Sequence, residues 1–205
     1  RARGIYLVVD CAQSLGVMPM DVRRYQIDFL AGLASKWLLG PFSTGFLSVR
    51  RELIGRLLPP FVGADSVKGD VDSVAYRLDL KDDASRFEGG LPNAPGIAGL
   101  NASLALMEEV GFDRIHQQAW QVSGYLICGL QRLGAQLAPC ALSDRTRSTI
   151  VSFQAPELER TYRFLRENRI ACSMRCGYIR MGIHGYNTVE EAGQVLAALK
   201  GFWGR

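Results

Sequence analysis

Two short apolar runs, each followed by a chemically distinctive side chain, constrain this chain more than any other feature. Ile5 to Val9 is continuously apolar and ends in Asp10, and residues 27–33 (IDFLAGL) form a second such run shortly before Lys36. Both are too short for a typical helix. Neither alternates as a half-solvated strand does, so they read as strands buried on both faces, as in a parallel sheet. Ligands of open α/β sheets bind beyond the carboxyl ends of strands. Asp10 and the residues after Leu33 therefore fall where a ligand would sit.

The pattern continues through a third strand, Phe46 to Val49, after a Gly40-Pro41 turn. Residues 51–58 predict a short helix stopped by Pro59-Pro60. Residues 61–93, rich in Gly, Asp and Ser, read as a long functional loop region. From Pro95 the period becomes helical: Ile97, Leu100, Leu104 and Met107 share one face up to Gly111. Phe112, Ile115, Ala119, Val122, Leu126 and Leu130 share the face of a second helix that ends at Gly134. Thr149 to Phe153 reads as a strand, 156–168 as a helix, and 170–174 with 178–183 as two strands about Cys176-Gly177. Thr188 opens the last helix, and Glu191 completes its capping box. The expected organisation is a large-domain fragment (1–93), bridging helices (94–134) and a small α+β domain (135–205).

Composition narrows the function classes. The chain is 48% hydrophobic and 21% charged, an ordinary globular balance. A net charge of +4 with scattered arginines and no basic run does not point to nucleic acid. Five cysteines, an odd number without a CxxC pair, fit reduced thiols in a cytoplasmic protein. His116 and His184 are the only histidines and are far apart, so no metal site is expected. No apolar run reaches the ~18 residues of a membrane span. The Arg-Ala-Arg-Gly start is not a signal peptide and reads as a chain entered partway through a fold.

Taken singly, the chemistry-bearing residues are ambiguous. Asp10 could meet a ligand or cap the next turn. Lys36 lies among Ala34, Ser35, Trp37, Leu38 and Leu39; it is either a desolvated nucleophile or a lysine with its stem on apolar surface and its head in water. Arg180 alone is a surface arginine on a strand.

The combination is more specific. VVDCAQSLG followed by ASKWLLGPFSTGFLSVR resembles the signature of the class V aminotransferase family, pyridoxal-5'-phosphate (PLP) enzymes of the aspartate-aminotransferase fold (fold type I). RFEGGLPN (86–93) and IRMGIHGYNTVEEAG (179–193) resemble further family segments, in the family's order. The resemblance implies an α/β chain equivalent to the C-terminal half of such an enzyme, with part of a mostly parallel large-domain sheet. It implies that Lys36 holds PLP as a Schiff base and moves the substrate's α-proton. Asp10 would pair with the ring nitrogen, Gln13 with the ring's phenolic oxygen, and Arg180 with the substrate carboxylate. Ser35 would contact the phosphate or cap a turn. It further implies an amino-acid or keto-acid substrate and a homodimer.

The chain departs from the family at Leu91, which stands where a phosphate-contacting threonine is usual, and it has no Gly-rich phosphate loop. Within the family, the tight turn at Cys176-Gly177 leaves no loop for a nucleophilic cysteine. That favours the aminotransferase and isopenicillin-epimerase-like branch over cysteine desulfurases and selenocysteine lyases. Cys172 reads as core and Cys176 as a turn residue. The alternative to an enzyme is a non-catalytic fragment that associates with another chain.

Overall fold

The computed structural model describes residues 3–69 and 78–204, so part of the 61–93 segment lies outside the described residues. Contacts divide the chain into two units: residues 1–15 with 20–106, and residues 16–19 with 107–205.

The first unit is built on a three-stranded sheet ordered β1 (Val8–Asp10), β2 (Phe29–Leu33), β3 (Gly45–Val49). β1 and β2 are parallel, with Asp10 opposite Ala31; β3 returns antiparallel to β2. A buried carboxylate pins the start of this sheet. The Leu7 N–H donates to Asp28 Oδ2 at 2.8 Å, and Arg50 Nε stands 3.1 Å from Asp28 Oδ1. Arg50 thereby supplies a charge that offsets the burial of Asp28.

The expectation that β1 is buried on both faces is not met. Val8 is 69% exposed, and Ile5, Tyr6 and Leu7 are exposed as well. β1 is an edge strand here, with Val9 packed on the core and Val8 left exposed. The core of this unit is small: Cys11, Ile27 and Leu30, with Val9, Leu15 and Met20 packed on it.

The helix α1 is shorter than expected, Arg51–Ile54. The following segment holds two 3-10 turns, Ala64–Ser66 and Ala84–Phe87, and a Val67–Leu80 bridge. The next helix, α2 (Ala94–Val110), passes from the first unit into the second. Its packed face differs by one residue from the expected one. Ile97 is exposed while Gly96 is buried, because the helix comes too close to Thr44 and Asn93 at that point to admit a side chain.

The second unit is an antiparallel sheet with helices. α3 (Phe112–Arg132) buries Ile115, Ala119, Val122, Leu126 and Leu130, as its period predicts, with Phe112 left exposed. It ends in a Schellman motif: the Ala135 N–H donates to Leu130 O, the Gly134 N–H donates to Gln131 O, and Gly134 takes φ +77°. The sheet order is β4 (Gln136–Leu137), β5 (Ile150–Gln154), β7 (Tyr178–Gly182), β6 (Ser173–Arg175). The sixth strand thus starts later than the expected 170. α4 (Leu158–Glu167) and α5 (Val189–Trp203) complete the unit. Val151, Phe153, Ile179, Leu165 and Leu199 are fully buried in its core. The capping box is formed as predicted, with reciprocal bonds between Thr188 and Glu191 at 3.0 and 3.2 Å.

Candidate functional site

The first unit brings four of the five candidate residues to one end of its sheet. Asp10 is the last residue of β1, and Gln13 follows in the turn after it. Ser35 and Lys36 lie just past the carboxyl end of β2, the parallel neighbour of β1. Asp10 is exposed, and its Oδ1 accepts from the Ala12 N–H at 2.9 Å. That bond is the turn-capping one anticipated from sequence, and it uses one carboxylate oxygen only. Cys11 is fully buried, and burial pushes its thiol pKa up.

The lysine loop is tight. The Gly40 N–H donates to Ala34 O at 2.9 Å and the Leu39 N–H to Lys36 O at 3.2 Å. Leu39 takes φ +55°, an unusual conformation for a residue with a side chain. Ala34, Trp37 and Leu38 are buried, Ser35 is half-buried, and Lys36 is exposed. The loop is therefore anchored by Ala34, Trp37 and Leu38, while Lys36 is left exposed. In this structure Lys36 is the exposed alternative of the two that its neighbours allowed.

Arg180 belongs to the second unit. It is half-buried on β7 between the inward-facing Ile179 and Met181, so it lies on the sheet face away from that core. Its cross-strand neighbours are Ser152 on β5 and Ser173 on β6, small residues that leave room around a guanidinium. Cys176 and Gly177 form the two-residue turn between β6 and β7, both at positive φ (+51° and +80°). The hairpin is as tight as the sequence suggests. Cys172 is partly buried rather than core, and burial raises its thiol pKa.

In the 86–93 segment, Leu91 is 97% exposed. Arg86 is buried; its Nη1 donates to Ile54 O at 3.2 Å, and its Nε has no hydrogen-bond partner among the described residues. A structural role that the sequence reading passed over belongs to Asn93. Its Oδ1 accepts from the Gly96 N–H, capping α2, while its Nδ2 donates to Thr44 Oγ1 at 3.2 Å. The signal was available, as Asn is a favoured cap just before a helical period begins. Among the described residues no cluster of potential metal ligands occurs, and no helix is long and apolar enough to cross a membrane.

The chain is similar to known proteins over most of its length. A probable cysteine desulfurase of Pyrococcus abyssi is 30% identical over 215 residues, covering 98% of this chain and 53% of that protein. An uncharacterized aminotransferase of Bacillus subtilis, YcbU, is 29% identical over 189 residues, covering 92% of this chain and 49% of the relative. The solved structure of C-DES, a cystine C–S lyase in complex with its reaction product cysteine persulfide, superposes with a TM-score of 0.83 at 28% identity. That match covers 95% of this chain and 52% of C-DES. A C-DES variant has also been solved with glycine covalently linked to its PLP cofactor. The fold is thus the C-terminal part of a fold type I PLP enzyme, and the chain spans about half the length of the curated relatives it matches. Most of the relatives are named cysteine desulfurases, the branch that the tight turn was read against, and none is named as an epimerase. One hairpin is weaker evidence for a branch than similarity along the whole chain. The model of the family described as aminotransferase class V matches residues 1–195, and this chain belongs to that family.

Proposed function

We propose that this chain carries the lysine side of a PLP site and acts on an amino acid through Lys36. The observation that carries this reading is the common end of a parallel strand pair: Asp10 ends β1, and Lys36 follows β2 on a loop that buries Ala34, Trp37 and Leu38. The donor set fits the ring and aldehyde end of PLP. It offers a primary amine, an exposed carboxylate, an amide and a hydroxyl. When bound, PLP supplies a carbonyl carbon that an amine attacks and a protonated ring that withdraws electrons.

Lys36 is the amine that would hold the cofactor and then accept a proton from the substrate's α-carbon. Asp10, oriented by the Ala12 N–H, would keep a ring nitrogen protonated. Gln13 would donate to the ring's phenolic oxygen, and Ser35 to the phosphate. The assignment of Arg180 as the carboxylate clamp rests on its motif and on its Ser-flanked sheet face. The division into 1–93, 94–134 and 135–205, a homodimer and a cytoplasmic setting belong to the same proposal.

Two reactions share this machinery. Aminotransfer follows the family name. Cleavage of a carbon–sulfur bond is favoured by the likeness to C-DES. With Cys176 confined to a two-residue turn, that second route would rely on α-proton removal by Lys36 rather than attack by a protein thiol. The test of the shared step is titration with PLP. Wild-type protein is expected to develop an absorbance band above that of free PLP, lost in Lys36→Ala, and a flat wild-type spectrum contradicts the reading. Incubation with cystine then separates the two routes: a persulfide product supports the lyase, and a keto acid formed without sulfur release supports the aminotransferase.

A further inference from the structure

The loop from β2 to β3 carries Lys36, and one face of α2 holds it at successive points. The Asn93 cap reaches back to Ser43 O and Thr44 Oγ1. Gly99 lies so close to Pro41 that a Cβ there would stand 2.5 Å from Pro41 Cγ. Leu100 packs where a Cβ on Gly40 would come within 3.3 Å of its Cδ1. One turn further on, the Ser103 hydroxyl donates to Leu38 O, two residues beyond the lysine. Residues 99, 100 and 103 share one helix face, and each meets a different part of the loop.

The last of these contacts matters most for Lys36. The loop closes on itself through the Gly40 N–H to Ala34 O and the Leu39 N–H to Lys36 O, with Leu39 at positive φ. Such a backbone persists only when its surroundings over-determine it. The Leu38 carbonyl lies between those two closures, and Ser103 is the side chain that satisfies it from outside the loop.

We propose that Ser103 is a positioning residue for Lys36: its hydroxyl, through Leu38 O, locks the loop in the conformation that leaves Lys36 exposed. The proposal rests on the PLP reading for its purpose but not for its first test. Hydrogen exchange on the chain without cofactor reads the loop directly. Ser103→Ala is expected to speed exchange at the Leu39 and Gly40 amides about fivefold or more, from the loss of one hydrogen bond of ~1 kcal/mol. Amides of β2 should change less than twofold. Ser103→Thr, which keeps the hydroxyl, is expected to restore protection. A uniform rise across β2 and α2 would mean general destabilisation and overturns the proposal, as does no change at Leu39 and Gly40. Gly99→Ala, which forces a methyl against Pro41, is the second variant and should loosen the same two amides.

Borohydride reduction after incubation with PLP provides the functional arm. Labelling of Lys36 at limiting PLP is expected to fall severalfold in Ser103→Ala and to recover in Ser103→Thr. Equal labelling of Lys36 in wild type and Ser103→Ala sinks the positioning role. Absence of label at Lys36 in wild type sinks the PLP reading instead, and leaves the exchange result to decide whether Ser103 orders the loop.

Discussion

Val151 and Phe153 on β5 have no exposed surface, whereas Val8 on β1 is 69% exposed, although its strand ends the longer unbroken apolar run. The difference lies in what covers them. β5 is an interior strand of an antiparallel sheet, flanked by β4 and β7, in a unit that closes its own core. β1 is the edge of three strands, and its run has the composition of a strand with neighbours on both faces. An apolar run therefore records the burial a strand is built for, not the burial that 205 residues provide. The chain spans about half of the length of its curated relatives.

The sharpest way to break this comparison is a pair of truncations. Phe153→Ala is expected to cost about 3–5 kcal/mol of unfolding free energy, as a large buried side chain does. Val8→Ala is expected to cost less than about 1 kcal/mol, as for an exposed position. Urea denaturation of both variants reads the difference. Equal costs would mean that β1 is covered in solution, by a second copy or another chain.

A smaller effect sharpens the other half of the comparison. Cys176 holds a left-handed conformation in the β6–β7 turn, where asparagine is favoured beside Gly177. Cys176→Asn is expected to raise stability by about 0.5–1 kcal/mol, seen as a higher Tm. A drop would mean that the thiol makes a contact worth more than the turn strain.

The smallest effect is electrostatic. The Thr188 N–H, and then the Asn187 side chain, hold the Glu191 carboxyl below the ordinary glutamate range. A depressed folded pKa contributes stability above the unfolded value, and that contribution is lost as pH falls through the folded value. Thermal unfolding followed through the mildly acidic range should show a slightly shallower acid decline in Glu191→Gln than in wild type. Parallel curves would remove the capping carboxylate from the account.

How far the sequence was legible follows the same contrast. The helices of the second unit, its Schellman glycine and its capping box were readable because each depends on local chemistry: the period of α3, Gly134, and Thr188 with Glu191. The exposure of β1 was not, because it depends on strands that lie beyond the run itself. The face of α2 was misread at Ile97 because close approach to Thr44 made a glycine, not an isoleucine, the buried residue. At the candidate site, the strand-end positions of Asp10 and Lys36 followed from the two apolar runs and the family resemblance. The exposure of Lys36 did not, since it comes from the burial of Trp37 and Leu38 and the strained closure at Leu39.

The most direct test of the central claim is to incubate the chain with PLP, reduce with borohydride and map the modified lysine by mass spectrometry. The account predicts that Lys36 carries the label in clear excess over Lys68, Lys81 and Lys200. Label spread evenly over those lysines, or none at Lys36, would contradict it.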